Sequence, residues 1–136
     1  MWQKLDRRRF LQWTAGTSVA ACTAASTAQQ ASSVADRLRV GVMGVNGRGR
    51  ALAQSFASRP GVEVAYLCDV DSRAIEATIA ALKEVPDTGA HEPQGVGDFR
   101  RVLDDPQVDA LIIAAPNHWH APATILACAA GKHVYV

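Results

Sequence analysis

The strongest constraint on this chain is Ala110-Leu111-Ile112-Ile113-Ala114-Ala115, a run without a polar side chain bounded by Asp109 and Pro116. Successive side chains of a strand point to opposite faces, so a strand with one wet face alternates apolar and polar residues. An unbroken apolar run instead fits a central strand of a parallel sheet with helices on both faces. The rest of the chain supplies the partners. Leu38 to Met43 reads as a first strand, and Leu52, Ala53, Phe56 and Ala57 lie at helical spacing until Arg59-Pro60-Gly61 stops the helix. Val62 to Cys68 gives a second strand. Asp71 or Ser72 can cap a second helix, with Ile75, Ile79 and Leu82 on its inner face before Pro86 and Gly89 open a loop. Gln94 to Val96 forms a short third strand, and Asp98 caps a brief helix with Phe99, Val102 and Leu103 inward. Pro122 sits in the first turn of a last helix running to Ala130, Gly131 ends it, and Val134-Tyr135-Val136 begins a fifth strand. Strands alternating with helices imply right-handed βαβ units and an α/β, doubly wound parallel sheet.

Composition narrows the class of partner. The chain has 136 residues, a formal net charge of +1 and 49% apolar residues, as expected for one small globular domain. After the first ten positions no run of Lys or Arg is interleaved with aromatics, which argues against nucleic acid as a partner. Cys22, Cys68 and Cys128 are too few and too far apart for a disulfide scaffold or a zinc knuckle, and Cys68 and Cys128 are expected as small core residues.

The first 36 residues read as an address followed by a flexible linker. Lys4, Arg7, Arg8 and Arg9 precede an uncharged stretch from Phe10 to Ala28 that Gln12, Thr14, Gly16 and Thr17 make too polar for a membrane anchor. Arg7-Arg8-Arg9-Phe10-Leu11 resembles the twin-arginine export signal, which implies the export machinery as a partner and a periplasmic location. Two processing sites compete. Ser26-Thr27-Ala28 offers cleavage to a soluble form, whereas Val19-Ala20-Ala21-Cys22 resembles a lipobox and would place a lipid anchor on Cys22.

Residues 37–136 carry the chemistry. Gly44-Val45-Asn46-Gly47-Arg48-Gly49 follows the first strand and fits the dinucleotide fingerprint Gly-x-Gly-x-x-Gly, except that Asn46 stands at the middle glycine. In that pattern the first glycine makes a tight turn, the second admits a pyrophosphate and the third lets helix and strand pack closely. Asn tolerates unusual backbone better than most residues and Gly47 adjoins it, so backbone N–H groups can still meet an anion at a helix N-terminus. A plain tight turn remains the alternative. Asp69 ends the second strand about 20 residues further on, where an acid accepts from adenosine ribose hydroxyls and repels a 2′-phosphate. This favours NAD over NADP, with Arg73 nearby able to soften the preference; a solvated strand-end carboxylate is the alternative.

Pro116-Asn117-His118-Trp119-His120 follows the apolar strand, at the carboxyl edge where open α/β sheets bind ligands. That position suits a role beside a nicotinamide. His118 and His120 could instead ligate a metal or be loop imidazoles bonded to backbone, but no Cys, Asp or further His is spaced to complete a metal set.

Taken together, Val42 to Arg50, Cys68-Asp69-Val70-Asp71, Asp98-Phe99-Arg100, the Asn117-His118-Trp119-His120 loop and the ending Gly131-Lys132-His133-Val134-Tyr135-Val136 resemble the Gfo/Idh/MocA oxidoreductase family. The resemblance implies a Rossmann-type NAD(P)-binding domain and hydride transfer between NAD(P) and a carbinol carbon of a sugar, cyclitol or related polyol. Carried over residue by residue, Gly44, Asn46 and Gly49 line the pyrophosphate, Asp69 the ribose, and Pro116, Asn117 and His120 the nicotinamide side, with Gly47 and Arg48 of the same turn among the expected cofactor-binding residues. In that family a Glu-Lys-Pro motif follows the last strand and its lysine moves the proton, while a second domain supplies the substrate pocket. The expectation is therefore a partial Rossmann domain with no catalytic residue of its own, inactive and poorly stable alone, and a homo-oligomer when full length. Some exported relatives are glycosidases that oxidise and re-reduce their sugar with bound NAD, and a non-catalytic nucleotide-binding module is a further alternative. Because twin-arginine systems move folded proteins, the cofactor is expected to be loaded before export and held tightly.

Overall fold

Five strands form one parallel sheet in the order β3-β2-β1-β4-β5. The computed structural model describes residues 37–86 and 91–136, so the expected leader and its two candidate processing sites lie outside the described residues. The elements are β1 (Leu38–Met43), α1 (Arg48–Ala57), β2 (Val62–Cys68), α2 (Ser72–Lys83), β3 (Gln94–Val96), α3 (Arg100–Leu103), β4 (Ala110–Ile113), a 3-10 turn (Asn117–Trp119), α4 (His120–Ala129) and β5 (His133–Tyr135). The order steps outward from β1 to β3 on one side and from β4 to β5 on the other. The order in which strands are added therefore reverses between β1 and β4, which run parallel, and their carboxyl ends flank the crevice where such sheets take ligands.

Alternation along the inner strands divides the core into two layers. Val40, Val42, Val64, Leu67 and Ile112 point to α1 and α2 and pack with Ala53, Ala57, Ile75 and Leu82. Met43, Cys68, Val96, Leu111 and Ile113 point the other way and pack with Phe99, Val102, Ala123 and Ala127 of the α3 and α4 side. Leu111, Ile112 and Ile113 are almost wholly buried, which explains why this strand carries no polar side chain.

Most element boundaries match the expectation from sequence, with shifts of one to two residues. β4 ends at Ile113 rather than Ala115: the chain bends at Ala115, where its backbone packs against Gly44 of the β1 turn, although the Ala114 N–H still donates to Met43 O at 2.8 Å. The last helix starts at His120, ahead of Pro122, and β5 starts at His133. Lys132 N–H to Ala127 O and Gly131 N–H to Cys128 O close the end of α4. Asp71 caps α2 through its side chain, which accepts the Arg73 N–H. Asp98 accepts the Arg100 N–H at 3.0 Å at the start of α3.

Cys128 corrects an expectation: it is exposed, whereas Cys68 is buried. α4 presents Ala123 and Ala127, one turn apart, to the sheet, and the next residue lies about 100° further round the helix. Burial pushes the Cys68 thiol up to about 12, with Asp98 and Asp69 adding to the effect. The thiol is neutral in both the folded and the unfolded chain at neutral pH, and because it ionises less readily when folded, stability falls as pH rises from the ordinary thiol range towards that value. We expect alkylation of the native protein at mildly alkaline pH, read by peptide mass spectrometry, to label Cys128 and spare Cys68 until denaturant is added. Equal labelling of both would contradict the burial described.

Candidate functional site

The turn from β1 to α1 is shaped by two close approaches. A Cβ on Gly44 would lie 2.6 Å from the Ala115 nitrogen, so only glycine lets this turn rest against the end of β4. A Cβ on Gly49 would lie 1.8 Å from Gly44 O, so α1 can close on the turn only if that position is bare. The left-handed backbone falls on Gly44 (φ 82°) and Gly47 (φ 68°). The freedom missing at Asn46 is therefore supplied one residue later, at the N-cap of α1. No side chain caps α1 and its first turn holds no acid. Its N-terminal N–H groups, with the exposed Asn46, Gly47 and Arg48 around them, suit an anionic group from outside the chain.

Asp69 ties this turn to the end of β2. Its Oδ2 accepts the Val45 N–H at 2.9 Å and its Oδ1 the Asp71 N–H at 3.0 Å. An ionised carboxylate has about four acceptor sites, so each oxygen keeps one for a ligand hydroxyl. Arg73 is occupied nearby: its Nε and NH2 donate to the two oxygens of Asp71 at 3.0 and 2.9 Å. That side-chain fork, joined by the Arg73 backbone N–H, holds the Asp71 carboxyl below the usual carboxylate range.

Across the crevice, Pro116 leaves β4 in an extended conformation (φ −54°, ψ 149°), and Asn117–Trp119 make one 3-10 turn. His120 turns back on its own strand, where its Nε2–H donates to Ala115 O at 2.8 Å. In the neutral ring this bond assigns the proton to Nε2 and leaves Nδ1 as acceptor. His120 thus makes the backbone bond that the sequence left open as an alternative, while Pro116, Asn117 and His118 are exposed.

A cleft of about 400 Å³ runs along these carboxyl ends and brings Gly44, Asp69 and Pro116 together. Asn46, Gly47, Arg48 and Gly49 belong to the adjoining turn, and Asn117 and His120 lie outside the residues lining the cleft. The other lining residues carried no site role in the sequence, and four of them bring polar or aromatic side chains to the cleft: Asp98, Phe99, Arg100 and Trp119. Phe99 meets Trp119 edge to face at 6.0 Å, and the Arg100 guanidinium lies 5.3 Å from the Phe99 ring centre. Position at a strand's carboxyl end could have flagged Asp98, whereas helical periodicity directed Phe99 to the core, where it also belongs. Among the described residues no group of three or more His, Cys, Asp or Glu could hold a metal ion.

Comparison with known proteins agrees with this arrangement. Residues 38–136 match GFO_IDH_MocA, an oxidoreductase family with an NAD-binding Rossmann fold. The glycosyl hydrolase family 109 protein of Saccharopolyspora erythraea is 36% identical over 105 residues, covering 74% of this chain and 22% of that protein. Glycosyl hydrolase family 109 protein 2 of Shewanella sp. (strain ANA-3) is 31% identical, covering 96% of this chain and 33% of that protein. The chain thus spans a third or less of the length of these curated relatives. Myo-inositol dehydrogenase from Lactobacillus casei, solved with NAD(H) and myo-inositol, shares the fold with a TM-score of 0.63 at 24% identity, over 72% of this chain and 27% of its own.

Asp69→Ala removes the acceptor of two backbone N–H groups as well as any ligand contact. We expect a stability loss of about 1–3 kcal/mol in urea titrations and at least an approximately tenfold weaker NAD affinity by calorimetry. Unchanged affinity would remove Asp69 from the site.

Proposed function

The chain belongs to the oxidoreductase family with an NAD-binding Rossmann fold, and from that premise we propose that it holds the cofactor in an exported enzyme acting on a carbinol carbon of a sugar, cyclitol or related polyol. The single observation that carries this reading is the meeting of the Gly44–Gly49 turn and the Asp69 carboxylate at one cleft. The fit to a dinucleotide rests on an uncapped helix start for the diphosphate and on the spare acceptor sites of Asp69 for ribose hydroxyls. Gly44, Asn46, Gly47, Arg48 and Gly49 are assigned to the diphosphate, Asp69 to the ribose, and Pro116, Asn117 and His120 to the nicotinamide side. When bound, NAD supplies the hydride acceptor. The chain's own residues bind and orient it, and the proton acceptor is assigned to the lysine expected after Val136.

NAD is proposed over NADP. A 2′-phosphate beside Asp69 would meet a carboxylate, and the nearby Arg73 is already matched by Asp71. Export through the twin-arginine system is supported by the Arg7-Arg8-Arg9-Phe10-Leu11 pattern. Loading of NAD before export follows from the same pattern. A homo-oligomer and the choice between a free and a Cys22-anchored form belong to this reading too.

The names of the curated relatives favour a second reading, in which the sugar is oxidised and re-reduced within one turnover and the net reaction is glycoside hydrolysis. Assays of the full-length protein with NAD should separate the two. A dehydrogenase accumulates NADH in step with oxidised polyol, whereas the hydrolase releases aglycone from aryl glycosides with no net NADH. Neither product, from a protein that holds NAD, would leave only a nucleotide-binding module. For export, Arg7→Lys with Arg8→Lys is expected to retain the protein in the cytoplasm on cell fractionation; unaltered periplasmic recovery would rule out the twin-arginine route.

A further inference from the structure

Among the described residues Thr78 is the one buried polar side chain, with no exposure to solvent. It lies on α2 between the apolar positions that pack against the sheet, and its Oγ1 is 2.8 Å from Ala74 O and 3.1 Å from Val45 O. The first contact is the ordinary one a helical threonine makes one turn back. The second is not a helix contact, since it reaches across 33 residues to the turn between β1 and α1, and the single hydroxyl proton is shared between the two carbonyls.

The carbonyl and the following N–H of a trans peptide point in opposite directions, and no described peptide is cis. With the Val45 carbonyl turned inward to Thr78, the Asn46 N–H is turned away from α2, on a residue that is exposed. The preceding peptide is held as well: Val45 N–H donates to Asp69, and Gly44 O rests against Gly49. Both peptides flanking Val45 are thereby fixed before any ligand arrives, and a preorganised donor need not be reoriented on binding.

We propose that Thr78 is a positioning residue whose hydroxyl fixes the Val45–Asn46 peptide so that the Asn46 N–H is presented to the diphosphate of the bound dinucleotide. This deepens the reading of the turn as a diphosphate cradle and rests on it. It also accounts for a hydroxyl on the inner face of a helix where an aliphatic side chain of the same shape would fit.

The test compares NAD affinity by calorimetry with thermal stability for the full-length protein and for Thr78→Val and Thr78→Ser. Valine keeps the shape and loses the donor, while serine keeps the donor and loses a methyl. The valine variant should bind NAD about fivefold more weakly, with KM for NAD raised and kcat nearly unchanged. The serine variant should bind as the parent does even if it melts lower. Should valine not fold, Thr78→Ala against Thr78→Ser makes the same comparison of donor absent and present. Binding by the valine variant equal to the parent, or equal weakening by both substitutions, overturns the role of Thr78 alone. A parent protein without NAD affinity overturns the cradle reading and this inference together.

Discussion

Three elements converge on Val45. Its N–H is held by Asp69 from the end of β2 and its carbonyl by Thr78 from α2, while the neighbouring Gly44 carbonyl lies against the bare Cα of Gly49 in α1. Val45 itself is fully buried, so its backbone groups need these partners: an unpaired N–H or carbonyl there would carry the cost of its lost water contacts. This clasp shapes the turn and sets where α1 begins, and it brings Asp69 to the same cleft as Gly44. The rest of the site depends on it.

The two-faced core keeps the clasp in place. The strands on either side of the switch between β1 and β4 contribute side chains to both layers, so the carboxyl ends of β1, β2 and β4 cannot shift independently. At the opposite end, Arg39 bridges to Glu63 at 3.1 Å and Gln107 at 2.6 Å, and Lys132 donates to the carbonyls of Asp105 and Val108. The polar bonds that lock one end of the sheet are thus kept apart from the groups offered at the other.

Much of this was legible in the residues. The apolar run at Ala110 to Ala115 demanded two covered faces, and the spacing between glycine turn and strand-end acid is short-range information that survives in any fold of this order. What escaped was set by phase or by backbone partners. Cys128 differs from the buried Ala127 by a single step round the helix, and Thr78 is invisible to a reading that follows only apolar periodicity. His120 could not be separated from a ligand-facing imidazole because its partner, Ala115 O, belongs to the backbone and has no signature in sequence. The aromatic contact between Phe99 and Trp119 joins two turns that only the folded sheet brings together.

Membership of an NAD-binding oxidoreductase family and the geometry of the turn point in the same direction, towards recognition of the adenosine diphosphate half of the cofactor by this part of the chain. The most direct measurement is a titration of the full-length protein with ADP-ribose, which has the diphosphate and both riboses but no nicotinamide. The account predicts saturable binding that competes with NAD. Absence of binding, in a protein that still takes up NAD, would contradict it and place the affinity on the nicotinamide side instead.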